Sequence, residues 1–163
     1  MDSQQIAEIL AKPYSQDLLT GPEPARLAYN GLDGDPRVIP IGFWIEGEQV
    51  VMATVPKSAK VAALRKNPKV ALTIDTGAFP PKVLLLRGTA EVELVQGVAP
   101  GYLIAGRKVM TEDQYGDWLE GVKALYTEQV VITVTLTWAK LLDFETTLPK
   151  SVEDLIAAKR QQS

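Results

Sequence analysis

Histidine and cysteine are both missing from the 163 residues. Their absence excludes thiol nucleophiles, disulfides, Cys/His zinc sites and every Ser–His or Cys–His catalytic pair. It also removes the one side chain whose ordinary pKa lies near neutrality. Long apolar runs are missing too, since no stretch approaches the ~18 residues that a membrane helix needs. Aromatic residues make up 7% and the net charge is −3. That balance supplies neither a global basic field nor the basic, aromatic-rich face of a barrel that binds nucleic acid. Residues 1–12 carry Asp2 and Glu8 and no long apolar core, unlike a secretory signal peptide, so a cytoplasmic location is expected.

What is present is ordinary for a globular chain: 46% apolar and 23% charged residues, enough for one domain with one core. Without a tunable imidazole, an enzyme of this composition needs a bound organic cofactor to bring the chemistry while the protein supplies position. Composition alone leaves a non-enzyme equally open.

Periodicity predicts a short helix over 3–11, capped by Ser3, with Ile6, Ile9 and Leu10 on its apolar side. Gly21, Pro22 and Pro24 then break the chain. Strands follow over 25–30, 37–46 and 49–55, with Asp33-Gly34 as a hairpin signal. A helix over 59–67 ends at Pro68, and strands span 69–75 and 82–95. Residues 98–126 read as two helices. Thr111 and Gln114 form a capping box for the second, with Trp118, Val122 and Leu125 on one side. The last strand, 129–144, alternates Val130, Ile132, Val134, Leu136 and Trp138 against Thr133, Thr135 and Thr137. Ser151 caps a C-terminal helix bearing Val152, Leu155 and Ile156. About six strands joined by short turns predict a closed antiparallel barrel, because closure removes exposed edges; the alternative is an open α+β sheet.

The run Thr54-Val55-Pro56-Lys57-Ser58-Ala59-Lys60 carries the most chemistry. A strand ends and a helix opens at Ser58, a good N-cap. A helix start bears roughly half a positive charge, and cations there are disfavoured by about 0.3–1 kcal/mol each. Lys57 and Lys60 sit there nonetheless. A bound anion reverses that sign, and N–H groups, a hydroxyl and two ammonium groups make a phosphate site. The alternative is that both lysines extend into water. Arg65, Lys66 and Lys69 lie at the helix C-terminus, where positive charge is favourable. Arg107-Lys108 reads as a solvated helix face, the alternative being that the pair meets the acidic tail of a ligand.

Met52-Ala53-Thr54 through Ser58-Ala59-Lys60, followed by Leu64 and Asn67-Pro68-Lys69-Val70-Ala71-Leu72, resembles the split-barrel flavin-binding family of pyridoxamine 5′-phosphate oxidase. The likeness is greatest to its flavin- or deazaflavin-dependent reductase branch. Asp33-Gly34 with Arg37-Val38-Ile39-Pro40, Leu86-Arg87-Gly88-Thr89-Ala90-Glu91, and Thr137-Trp138 with Asp143-Phe144-Glu145 agree in order and spacing. The resemblance spans residues 25–148. It implies a mainly β fold with peripheral helices, a six-stranded antiparallel split β-barrel, in a single domain over 1–163. Residues 1–24 would be a helix and arm, 25–148 the barrel with inserted helices, and 149–163 a C-terminal helix.

It further implies that Thr54, Ser58 and Lys60 hold a cofactor phosphate, with Lys57 as an added neighbour. Val38, Ile39, Pro40 and Ile41 would flank the ring. The family is homodimeric, with the cofactor between protomers. Trp138 would then approach the partner's cofactor, or else sit inward as a core residue. FMN is the expected cofactor, with the deazaflavin F-420 as the alternative. The implied activity is hydride transfer to a small organic substrate, and the alternative is a non-catalytic binder of a flavin or tetrapyrrole. No metal, membrane or nucleic-acid partner is expected. Among Tyr29, Tyr102, Tyr115 and Tyr126 the sequence does not single out a proton donor. The oxidase signature Arg-x-Val-Leu-Leu-Lys is replaced here by Val38-Ile39-Pro40-Ile41-Gly42-Phe43, with Arg37 one residue out of register. The family's Arg–His substrate motif is ruled out by the missing histidine. Both departures argue against pyridoxamine phosphate oxidation itself.

Overall fold

In the computed structural model, residues 1–161 are described. Apolar alternation in the strands and two short N-terminal amphipathic helices produce the order α1 (Ser3–Leu10), α2 (Pro13–Thr20), β1 (Ala25–Asn30), β2 (Pro36–Ile41), β3 (Trp44–Glu46), β4 (Gln49–Thr54) and α3 (Ala59–Lys66). There follow β5 (Lys69–Asp75), β6 (Val83–Gln96), α4 (Pro100–Arg107), α5 (Glu112–Leu125), β7 (Glu128–Leu142) and α6 (Lys150–Gln161). All strand pairs are antiparallel, in the order β2-β1-β5-β6-β7-β4-β3. The sheet thus has seven strands and does not close by hydrogen bonding. Its two edge strands, β2 and β3, are consecutive in the chain and separated only by Gly42 and Phe43. The predicted strand 37–46 is this pair with a break in it, which is why six strands were expected. Among the described residues no helix is long and apolar enough to cross a membrane.

The barrel interior is one apolar cluster: Leu27, Met52, Leu72, Ile74, Leu84, Leu86, Ile132 and Val134, with Val61 and Leu64 entering from α3 and Ile6 and Leu10 from α1. A smaller cluster lies outside the sheet, where Trp44, Val51, Ala53 and Ala99 meet Tyr102 and Ala105 of α4. Gln129 on β7 is buried and its Oε1 accepts the Ala99 N–H at 2.9 Å, so the strand fixes where α4 begins. Gly101 permits the contact, because a Cβ there would overlap the Trp44 indole.

Several predicted details are corrected. Asp2, not Ser3, caps α1, with Gln5 completing the capping box. Helix α2 was unforeseen, although Pro13 at its first turn is a helix-start residue. The Thr111–Gln114 capping box is present. Its helix buries Tyr115 and Val122 and leaves Leu125 70% exposed. Ser151 lies within α6 rather than capping it, and no residue of α6 is buried. In β7 a bulge places Arg87 opposite Trp138 and Gly88 opposite Leu136, which leaves Thr137 as the extra residue. The bulge reverses the alternation, so Ala139 and Leu141 point inward and Trp138 does not.

After β7 the chain is fastened by Asp143, a buried carboxylate. It accepts the N–H groups of Glu145, Thr146 and Thr147 at 3.0, 2.8 and 2.7 Å and the Thr146 hydroxyl at 2.5 Å. The Thr146 hydroxyl, and then the backbone N–H groups, hold its pKa well below the ordinary 3.8, against the opposing effect of burial.

A Cβ at Gly88 would strike the Thr135 carbonyl and lie 2.6 Å from Val134 Cγ1, whereas one at Gly116, in α5, meets nothing within 4 Å. Gly88→Ala should therefore cost about 1–3 kcal/mol through overpacking. Gly116→Ala should gain about 0.5–1 kcal/mol from helix propensity. Urea unfolding of both variants reads the difference. Because the folded pKa of Asp143 is depressed, its contribution is complete above the unfolded value of 3.8 and fades as pH falls below it. Asp143→Asn should lower stability by about 1–3 kcal/mol at pH 7 and flatten the decline of the denaturation midpoint between pH 5 and pH 2.

Candidate functional site

Three of the predicted phosphate residues converge. Thr54 ends β4, beside Val130 of β7. The Ser58 N–H donates to the Val55 carbonyl at 3.0 Å, which turns the chain into α3. Lys60, in the first turn of α3, folds back so that its Nζ donates to Ser58 Oγ at 2.7 Å and Thr54 Oγ1 at 3.2 Å. Ser58 occupies the N-cap position in extended conformation, but its hydroxyl accepts from Lys60 and makes no cap hydrogen bond. That corrects the expected capping role. An ordinary N-cap serine serves its own helix, whereas this one belongs to the ammonium cluster. Lys60 is half-buried, and burial lowers its pKa. Among the described residues no carboxylate forms an ion pair with it. The cluster is a positive charge and two hydroxyls next to a helix start, without an internal anion.

Lys57, one residue before the cap, is exposed. Of the β2 residues, Ile39 and Ile41 pack against the barrel core, while Val38 and Pro40 project outward, Val38 at 65% exposure. A shallow groove beside Val38 is lined by Arg26, Ala28, Ala71, Thr73 and Val83 and contains none of the Thr54–Ser58–Lys60 cluster. Four strands separate β2 from β4 in the sheet. The four β2 residues therefore do not act as one surface: alternation divides them between two faces. Arg37 pairs with Asp33 in its own hairpin at 2.5 Å. Trp138 is half-buried on the outer face, with the Arg87 guanidinium 4.4 Å from its ring centroid, so the inward reading is excluded. Arg87 was not singled out in the sequence. Its pairing depends on the bulge, which strand alternation does not reveal.

The family model of pyridoxamine 5′-phosphate oxidase matches residues 11–142. The chain belongs to that family. No curated protein matches the sequence. Among solved structures, it is similar to an F420 reductase at 26% identity and a TM-score of 0.62, covering 77% of this chain and 94% of that one. It is similar in fold to General Stress Protein 26 from Bacillus anthracis, at 16% identity and a TM-score of 0.57, over 86% of this chain and 95% of that one. A heme binding protein from Mycobacterium smegmatis shares the fold at 14% identity and a TM-score of 0.54, over 81% of this chain and 55% of that one. The mainly β split-barrel reading therefore stands for this family member, with seven strands in place of six.

Proposed function

We propose that this member of the pyridoxamine 5′-phosphate oxidase family is an oxidoreductase that holds a phosphate-bearing flavin-type cofactor, FMN or the deazaflavin F-420, and serves hydride transfer to a small organic acceptor. The single observation that carries the reading is the Lys60 ammonium, half-buried, bonded to Ser58 and Thr54 and lacking a carboxylate. A half-buried cation without a counter-ion is costly. A phosphate would supply its charge and accept from both hydroxyls as well. The donor set fits a phosphate group, and likeness to the F420 reductase supports the flavin class.

When bound, the cofactor supplies a ring that accepts and releases hydride. The protein's own work is then to bind and to orient. Lys60, Ser58 and Thr54 would fix the phosphate end, and the backbone of β2 would align the ring. No imidazole or thiol is required, which suits a chain that contains neither.

The protein acts in this proposal as a homodimer. Val38 and Pro40 lie outward on one face, and the phosphate cluster lies at the end of β4. The groove beside Val38 does not reach that cluster, whereas a second copy set against the β2 face would supply the missing wall. The FMN end of the choice needs a closed phosphate pocket. The F-420 end needs an open one, because its chain continues beyond the phosphate.

Titration of the protein with FMN and with F-420 tests the reading. One of the two should bind, and Ser58→Ala and Lys60→Met should each weaken it by about 1–3 kcal/mol, as for lost hydrogen bonds to a charged group. Unchanged affinity in both variants would remove the phosphate site. Tight binding without turnover of the reduced cofactor by any quinone or activated alkene would replace the enzyme by a carrier. Sedimentation should give twice the chain mass, and Val38→Glu should shift it toward one chain. A wild-type monomer that binds cofactor at full affinity would contradict the shared groove.

A further inference from the structure

Where the barrel strand breaks at Gly42–Phe43, α4 and α5 fold back and leave a cleft of about 330 Å³. Its aromatic lining comes from Phe43, Tyr102 and Trp118. The last two stack with centroids 5.6 Å apart and planes 25° from parallel. Lys108 also lines it. Sequence placed this lysine on a solvated helix face, but the structure half-buries it. Its Nζ donates to the Leu19 carbonyl at 2.9 Å and the Phe43 carbonyl at 3.3 Å, and sits 3.7 Å from the Phe43 ring centroid. No carboxylate among the described residues forms an ion pair with it. Lys82 and Lys150, by contrast, both hold carboxylates.

Carbonyls and a ring face stabilise an ammonium but do not cancel its charge. Two carbonyls and a ring face surround its three N–H donors, and none of them carries a negative charge. The cleft is small and mostly apolar, and two charged side chains, Lys108 and Glu23, line it; such a cavity has the general form of a ligand site, the apolar walls giving affinity and a charge giving orientation.

We propose that this cleft binds a small planar aromatic monoanion, its ring against the Tyr102 and Trp118 walls and its carboxylate paired with Lys108. The site is built from elements other than those that hold Thr54, Ser58 and Lys60, and it stands whether or not the cofactor reading does. Burial lowers the Lys108 pKa to about 8, so the ammonium is the main form at neutral pH and is lost in mildly alkaline solution. Glu23, on the α2–β1 linker, and Tyr102, on α4, are the other titratable groups lining the cleft. Burial raises the Tyr102 phenol above its ordinary 10.0, so it does not ionise in that interval.

Calorimetric titration with 2-naphthoate and with its neutral counterpart 2-naphthamide, in the absence of any cofactor, tests this. The acid should bind at least about tenfold more tightly than the amide at pH 7. Its affinity should fall about tenfold, to that of the amide, as pH rises from 7 to 9.5 and the ammonium is lost, with Glu23→Gln keeping the same pH dependence. Lys108→Met should erase the preference for the acid and leave amide binding unchanged. Gly42→Leu should abolish binding of both, because a Cβ at residue 42 first meets Ala105 Cβ at 3.9 Å and the longer side chain has the cleft to fill. Equal affinity for acid and amide in the wild type, or acid binding that survives both substitutions, would overturn the proposal. If Lys108→Met fails to fold, the wild-type acid–amide contrast and its pH profile decide alone.

Discussion

The antiparallel ladder between β6 and β7 is the constraint on which the rest of the molecule depends. It runs from Val83 opposite Leu142 to Gln96 opposite Glu128, with one interruption at Arg87 and Gly88. Each of these long strands passes through the core, and β7 also pairs with β4. That second pairing sets Thr54 beside Val130 and so determines where α3 starts. The same strand presents Gln129 to the first turn of α4. Both the ammonium cluster at Lys60 and the cleft under α4 are therefore positioned by one strand. A slip of one residue in its register would invert every inward side chain.

The bulge at Thr137 shows why part of this was hidden in the sequence. Alternation from Val130 to Trp138 is unbroken as text, and it predicts one buried face. A single unpaired residue changes the face without changing the pattern of letters. Gly88, opposite Leu136, is the visible trace of the event, since a Cβ there would strike the Thr135 carbonyl. The strand limits of β1 and β5 were legible, because their apolar runs are bounded by turn residues. The Thr54, Ser58 and Lys60 cluster was legible for a different reason. Cations at a helix start conflict with the helix dipole, and such a conflict stands out in a linear reading.

Lys108 carried no such signal. It lies at the end of α4, where a lysine complements the dipole, and a solvated side chain is the ordinary outcome. What buries it is tertiary: the carbonyls of Leu19 and Phe43 arrive from α2 and from the strand break, 89 and 65 residues away in the chain. Helix α2 was equally concealed, since eight residues with a weak apolar face say little until they dock. Local propensity exposes conflicts within a segment. It cannot expose partners that only the fold supplies.

The two half-buried lysines differ in a way that governs what each can bind. Lys60 is held by two hydroxyls, and a hydroxyl both donates and accepts. When an anion arrives, Ser58 and Thr54 can rotate to donate alongside the ammonium, so several donors converge on one group. Such a set suits phosphate, which offers several acceptor oxygens. Lys108 is held by two backbone carbonyls, which only accept. They cannot turn to face an anion, and they keep the ammonium anchored without cancelling its charge. That arrangement satisfies one charge and no more. The neighbouring groups, rather than the lysines themselves, separate the proposed phosphate site from the proposed carboxylate site.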